Sequence, residues 1–275
     1  MDIQSIVELV LKKMEDKDKS KLVVEVVHDE EKRVTVDNPN TFDTIARAQS
    51  ITPARIGIGR TGTRMKTKNY LDFRIDHAAA QDAVFQSVSE EFLKEMNLPI
   101  LYSKAETMEE YLMTLETGRK LRDDSKEWLE KNGQKNKQVQ IVVSDGLSST
   151  GIEANLPDLL PALIQGLKGK QISVGEPIFI KRSRVWIQDE VAKIVNCDVV
   201  ISLIGERPGL ATSKSLSAYM IYRPNEHTVE ADRTVISNIH QGGIPPVEAG
   251  AYLSEVISKI LKHQVSGVKL TKLRD

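Results

Sequence analysis

The chain has 275 residues, of which 40% are hydrophobic and 28% charged, and its formal net charge is −1 at pH 7. This balance excludes a disordered chain, and it gives no global basic field that would attract nucleic acid or an acidic membrane. No apolar run approaches the roughly 18 residues of a membrane span. The single cysteine, Cys197, excludes an internal disulfide and fits a reducing cytoplasm.

An amphipathic helix is predicted over residues 1–16. A charged run follows it, so residues 17–50 are predicted to be a linker and connecting segment. A helix this short is marginal alone, so its apolar stripe either packs on its own protein or docks on a partner. The stripe consists of Ile3, Ile6, Val7, Val10, Leu11 and Met14.

Residues 51–135 are predicted to form a mainly helical domain. Asp72 to Met96 contains no Gly or Pro and reads as one helix, and residues 107–132 read as another helical segment that Gly118 interrupts.

The stretch "RIGIGRTGTR" has glycines at Gly57, Gly59 and Gly62, the spacing of a dinucleotide-binding loop. That motif requires a strand before its first glycine and a packed helix after its third, and the sequence indicates neither. Positive charge is dense here, so the loop is either a solvated basic loop or a surface for an acidic partner or a phosphate. The basic residues are Arg55, Arg60, Arg64, Lys66 and Lys68.

Residues 136–275 are predicted to form a Rossmann-like domain. The buried-strand runs "QVQIVV", "EPIFI" and "DVVISLI" alternate with helical patterns, which indicates βαβ units and a mainly parallel sheet flanked by helices. Pro161 falls inside the first of these helices and predicts a late start or a kink. The fold class is therefore α/β, with a mostly helical N-terminal part.

Two loops are expected at the carboxyl edge of this sheet, "SDGLSS" at 144–149 and "GERPGL" at 205–210. Each alone reads as an ordinary turn that caps the next helix, but two at one edge favour a ligand site. Ser144 and Ser148 have no nearby histidine, and the five histidines show no ligand spacing. The pattern is typical of a binder, with no catalytic residue and no metal site of its own.

With these stretches in view, the sequence resembles the small (light) subunit of ethanolamine ammonia-lyase. The similar segments run in order from about residue 50 to the C-terminus. They are "ARIGIGRTGTR", "DHAAAQDAV", "VVSDGLSS", "LIGERPGLATSKSLSAY", "VEADRTVISNIHQGG" and "PPVEAG".

The resemblance implies an adenosylcobalamin-dependent enzyme that converts ethanolamine to acetaldehyde and ammonia. A large TIM-barrel subunit then carries the substrate and most catalytic residues, and the small subunit covers the cofactor at the interface and is inactive alone. Matched by motif, the cofactor contacts are Val185, Glu206 and Val235, with Arg184 as a further candidate. By residue type alone both valines read as strand residues. Val235 replaces a cysteine of other members, which leaves apolar or backbone contact there.

The base-off cobalamin motif D-x-H-x-x-G is absent, because Ile75 precedes His77 by two and Asn238 precedes His240 by two. The chain is therefore expected not to ligate cobalt.

The resemblance also implies a hetero-oligomer with the large subunit in the bacterial cytoplasm, inside a bacterial microcompartment. Residues 1–16 would then be an encapsulation peptide that contacts the shell. Two alternatives are a stand-alone nucleotide-binding enzyme that uses the Gly57–Gly62 loop, and a purely structural subunit without cofactor contact. For the loop itself, the hypothesis is that Arg60 and Arg64 face acidic groups of the large subunit.

Overall fold

The computed structural model describes residues 34–52 and 54–273. They fall into two units that divide after Lys66. The predicted helix over residues 1–16 and the first part of the predicted linker lie outside the described residues.

The first unit contains helix α1 (Phe42–Ile51) and a short hairpin of β1 (Arg60–Thr61) and β2 (Arg64–Met65). Its described N-terminal end packs on the glycine-rich stretch. The Thr35 backbone N–H donates to Gly57 O at 2.9 Å, and the Gly59 N–H donates to the Thr35 hydroxyl at 2.8 Å. These glycines therefore join two backbone segments of one unit.

The second unit is an α/β structure whose elements follow in chain order. They are α2 (Thr67–Phe85), α3 (Glu90–Glu95), β3 (Ile100–Tyr102), α4 (Met108–Met113), α5 (Asp123–Asn132), β4 (Val139–Ser144), α6 (Ser149–Gly169), β5 (Ile178–Lys181), α7 (Ile187–Val195), β6 (Val199–Gly205), β7 (Leu216–Tyr222), β8 (Thr234–Ile239), α8 (Pro246–His263) and α9 (Val268–Thr271).

Six strands form one sheet in the order β3-β5-β4-β6-β7-β8. The first four in this order are parallel neighbours, and β7 is antiparallel to both β6 and β8. The prediction of a mainly parallel sheet is confirmed, and the antiparallel β7 and β8 are additions to it.

Helices cover both faces of this sheet. On one face α6 and α8 pack on each other and on the apolar side chains of β4, β6 and β7. On the other, α5 and α7 cover β3, β5, β4 and part of β6. Each fully buried aliphatic side chain contributes about 1.5–3 kcal/mol, so this double-sided core fixes the edge from which the candidate loops project.

The long helices predicted between residues 72 and 132 are divided. The first ends at Phe85, and Ser89 begins α3 by accepting a hydrogen bond from the Phe92 N–H at 3.3 Å. The second is interrupted by a 3-10 turn, Thr117–Arg119, which contains Gly118 as the break expected there. Between the two segments lies β3, a strand that was not predicted.

Helix α6 begins at Ser149 and continues through Pro157 and Pro161, so the late start expected from Pro161 is wrong. The Ser148 hydroxyl fixes the early start by accepting from the Gly151 N–H at 2.9 Å. Within residues 34–52 and 54–273, no helix is both long enough and apolar enough to span a membrane.

Candidate functional site

The two predicted loops meet at the carboxyl edge of the sheet. Strands β4 and β6 are parallel neighbours, and beyond them the Leu147 N–H donates to Gly205 O at 3.0 Å. The loops are so close that a Cβ on Gly146 would lie 2.5 Å from Gly205 O. The prediction that both loops share one edge is therefore confirmed.

Part of the "SDGLSS" loop has the plain structural role of a helix cap. Ser148 caps α6 and also donates to Ser213 O, and Thr150 donates to the same carbonyl at 3.1 Å. These hydroxyls tie the first loop to the segment between β6 and β7, so their polar groups are used within the chain.

Asp145, in the same loop, is fully buried. Its Oδ1 accepts from the Arg182 N–H at 2.7 Å and from the Ser144 hydroxyl at 3.3 Å, and its Oδ2 is buried without a hydrogen-bond partner among the described residues. Burial raises the pKa of this carboxyl to about 6, although the hydrogen bonds from Arg182 and Ser144 act in the opposite direction.

Asp145 is expected to make stability fall as pH rises through its raised pKa. Between about pH 4 and pH 6 the folded chain keeps this proton and the unfolded chain releases it. The free energy of unfolding therefore falls by about 3 kcal/mol across this range. Asp145→Asn should remove this dependence, as measured by urea unfolding of both proteins at steps between pH 4 and pH 7. Identical pH profiles for the two proteins would contradict the assignment.

Glu206 follows β6 in the second loop and is held by three donors. Its carboxylate accepts from the Ser215 hydroxyl at 2.7 Å, from the Ser217 hydroxyl, and from the Asn238 N–H at 2.8 Å. Partial burial acts to raise the pKa of Glu206, but these hydrogen bonds outweigh it and the pKa is lowered. Two donors reach Oε1 and one reaches Oε2, so a carboxylate with about four acceptor positions retains capacity for an incoming donor.

Arg184 contacts both α4 and the 3-10 turn that follows it. Its backbone N–H donates to Gly118 O at 2.7 Å, and its guanidinium lies 4.4 Å from the centre of the Tyr111 ring and donates to Tyr111 O. This arrangement fixes the side chain and favours a role in positioning the turn that Arg184 shares with Val185.

Val185 lies in a turn and not in a strand, so its interpretation as a strand residue is wrong. Strand β5 ends at Lys181, and Arg182 adopts a left-handed conformation with φ of 54°, which takes the chain out of the sheet. Val185 O then accepts from the Gln188 N–H at 3.2 Å in the first turn of α7.

Val235 lies in β8, as residue type predicts, and is 42% exposed. It pairs with Tyr219 of β7, and two residues along β7 the hydroxyls of Ser217 and Ser237 are hydrogen-bonded to each other at 3.0 Å. We call these four residues the β7–β8 face. The side chains of Ser217 and Tyr219 lie on the same side of the sheet as α7, as do those of the β6 residues with which they pair. Helix α7 leaves Tyr219 partly exposed.

A buried cluster joins the start of α7 to β7 and β8. The Arg233 guanidinium donates to the Asp189 carboxylate, and the Trp186 ring lies 5.7 Å from Arg233 and 4.3 Å from Arg119. With its amide oriented as its neighbours require, Gln188 donates to Tyr219 O and accepts from Arg233 Nε, both at 3.1 Å. The cluster holds the turn that carries Val185 beside the strands that carry Val235.

The sequence-predicted residues are thus brought together to different extents. Glu206 reaches the β7–β8 face through Ser217, and Val235 is part of that face. Val185 precedes Trp186, whose ring lies near Arg233 at the start of β8, whereas the guanidinium of Arg184 contacts Tyr111.

The histidine in "SNIHQGG" serves the local fold. His240 Nδ1 accepts from the Gly242 N–H at 3.0 Å, so Nε2 carries the proton and donates to Asn238 Oδ1 at 2.8 Å. In the part of the chain that the structure describes, no group of three His, Cys, Asp or Glu residues is arranged to hold a metal ion.

Tyr219, Asp145 and Trp186 were missed by sequence reasoning. Burial raises the pKa of Tyr219, and the charge of Glu206 adds to this effect, which puts the phenol within the electrostatic reach of that carboxylate. A signal for Tyr219 exists, since the sequence alternates between polar and apolar residues from Ser215 to Met220, a pattern typical of a half-buried strand.

The chain is similar to known proteins over most of its length. The family model described as ethanolamine ammonia-lyase light chain matches residues 42–271. The chain is 50% identical over 237 residues to an ethanolamine ammonia-lyase small subunit of Clostridium tetani, which covers 86% of this chain and 80% of that protein. It is 47% identical over 242 residues to the small subunit of Listeria monocytogenes, covering 88% and 83%, and 46% identical over 239 residues to that of Clostridioides difficile, covering 87% and 82%. The chain therefore belongs to the ethanolamine ammonia-lyase light-chain family.

Proposed function

We propose that this chain, together with a large subunit, holds adenosylcobalamin at the interface of the two subunits and supports the conversion of ethanolamine to acetaldehyde and ammonia. Family membership supports the enzyme class. The observation that carries the cofactor contact is the ionised Glu206 carboxylate, held at the rim of the partly exposed β7–β8 face with acceptor capacity remaining.

The chemistry of the face fits a cobalamin. The corrin ring is broad and carries carboxamides at its rim, and these donate to a carboxylate such as Glu206. Tyr219 and Ser237 offer hydroxyls, and Val235 offers an exposed apolar surface for the ring. When bound, the cofactor supplies the adenosyl radical that removes hydrogen from the substrate.

In this proposal the residues of this chain bind and orient the cofactor and perform no proton transfer. Glu206 would accept hydrogen bonds from the cofactor, Val185 and Val235 would offer it apolar contact, and Arg184 would position Val185 through its own contacts with Tyr111 and Gly118. Substrate chemistry then belongs to the large subunit, so the small subunit alone is inactive.

Expression of the chain alone and with a large subunit tests this proposal. The chain alone is expected to show no ethanolamine-deaminating activity and to retain no cobalamin. The complex is expected to show the activity and to retain cobalamin. Activity of the chain alone would favour a self-contained enzyme, and cobalamin binding by the large subunit with unchanged affinity in the absence of this chain would favour a purely structural subunit.

The basic hairpin is proposed to help seat the chain on the large subunit. Lys66 and Lys68 pair with Asp37 and Asp72, whereas Arg60 and Arg64 are exposed on β1 and β2. Reversing both charges, Arg60→Glu with Arg64→Glu, is expected to slow association and to increase its salt dependence, measured by surface-immobilised binding at two ionic strengths. Normal assembly with reduced cobalamin binding would instead make the hairpin a cofactor site.

Residues 1–16 are proposed to direct the enzyme into a bacterial microcompartment. Their removal is expected to leave the activity of the complex unchanged and to abolish co-purification with shell proteins, because an apolar helical stripe is a docking element. Unchanged shell association after the deletion would contradict this proposal.

A further inference from the structure

Helix α2 is unusual in how little of it is covered. It has 19 residues, yet only Asn69 and Ala83 are buried. Large apolar side chains lie exposed along it: Tyr70 is 47% exposed, Leu71 53%, Ile75 41% and Phe85 62%. A surface helix ordinarily places such residues against the core.

The exposed apolar residues share one side of the helix. Leu71, Ala78 and Phe85 are spaced by seven residues, so they lie almost on one line, about 21 Å long at 1.5 Å per residue. Tyr70 and Ile75 flank this line. The covered side carries Asn69, Ala83 and the partly buried Asp76. Much of the apolar surface of α2 therefore lies outside the core of the chain.

We propose that the exposed side of α2, formed by Tyr70, Leu71, Ile75, Ala78 and Phe85, is the surface on which this chain binds the large subunit. The curated relatives are named small subunits, which implies a larger chain in the same enzyme. Helix α2 lies inside the family match over residues 42–271, whereas residues 1–41 lie outside it. A partner that covers α2 in every member of the family is therefore better sought in the large subunit than in the N-terminal segment. This inference goes beyond the proposed cofactor contact and does not depend on it.

Site-directed labelling tests the surface with little perturbation. The only cysteine, Cys197, is 6% exposed, and burial raises the pKa of its thiol to about 12, so it reacts poorly with maleimide. The Ala78→Cys variant of the full chain is expected to label rapidly alone and slowly in the complex. The matched Tyr252→Cys variant, on the exposed side of α8, is expected to label at the same rate in both. Equal labelling of Ala78→Cys in both states, with the complex intact, would overturn the proposal.

Disruption gives a second measurement. Leu71→Asp with Phe85→Asp is expected to weaken co-purification with the large subunit by about tenfold or more, because apolar anchors dominate interface energies. The melting temperature of the chain alone should be unchanged, and Tyr252→Asp should bind normally.

Two other occupants would each overturn the proposal. If Ala78→Cys is protected in the chain alone and the protection disappears on dilution, a second copy covers α2. If deletion of residues 1–33 speeds its labelling in the chain alone, the N-terminal segment covers α2.

Discussion

Glu206→Ala is expected to weaken cobalamin binding to the complex of both subunits by about 10- to 100-fold. A hydrogen bond to a charged group contributes about 1.5–3 kcal/mol, and about 1.4 kcal/mol corresponds to a factor of ten. The alanine also leaves Ser215, Ser217 and the Asn238 N–H without their acceptor, which loosens the end of β8. Spectrophotometric titration of the complex with hydroxocobalamin measures the change.

Two variants separate cofactor contact from local folding. Glu206→Gln keeps the side-chain size but loses the charge, so its affinity should lie between those of wild type and alanine. Glu130→Ala removes an exposed carboxylate on α5 and should bind normally. Wild-type affinity in Glu206→Ala, with an unchanged melting temperature, would exclude Glu206 from the contacts and favour a subunit without cofactor contact.

Arg233→Met is expected to lower the free energy of unfolding by about 3–5 kcal/mol, the largest stability effect at this site. The Arg233 side chain is 3% exposed and pairs with Asp189, whose Oδ1 is already buried without a partner among the described residues. Burial raises the pKa of Asp189 and Arg233 opposes this. Without the arginine an uncompensated charge stays in the cluster, and urea denaturation of the chain measures the loss.

The surface pair of Arg223 with Asp198 provides the matched control. Arg223 is 67% exposed at its side chain, so Arg223→Met should leave stability nearly unchanged. Adding Asp189→Leu to Arg233→Met should recover much of the lost free energy of unfolding, because it removes the carboxylate that Arg233→Met leaves unpaired. Equal, small effects for Arg233→Met and Arg223→Met would show that the cluster does not hold α7 to the sheet.

Long apolar runs and capping signals were sufficient to predict the centre of the fold. β4 and β6 are buried along their whole length and read directly as strands. β3 has only three residues and lies between helical patterns, so no periodicity distinguishes it. The separation of α2 from α3 depends on Ser89, whose N–H donates to Glu153 at 2.8 Å, a tertiary contact that local pattern does not contain.

For the site, the position of Glu206 followed from the carboxyl-end rule, but its environment did not. Its donors come from residues 9, 11 and 32 positions away, a spacing that no motif encodes. Asp145 reads as an ordinary loop acid because aspartate is rarely buried. Val185 was misread because a valine favours strands by type, and only the left-handed Arg182 removes it from the sheet.

The three glycines of "RIGIGRTGTR" are required for different structural reasons, although together they have the spacing of a dinucleotide-binding motif. Gly57 and Gly62 have positive φ angles, 68° and 60°, while a Cβ on Gly59 would lie 2.0 Å from Thr35 O. Each position excludes a side chain for its own reason, two by backbone conformation and one by the closeness of a neighbouring carbonyl. The spacing of a dinucleotide fingerprint can thus arise from three local steric rules, so glycine spacing alone is weak evidence for a nucleotide site.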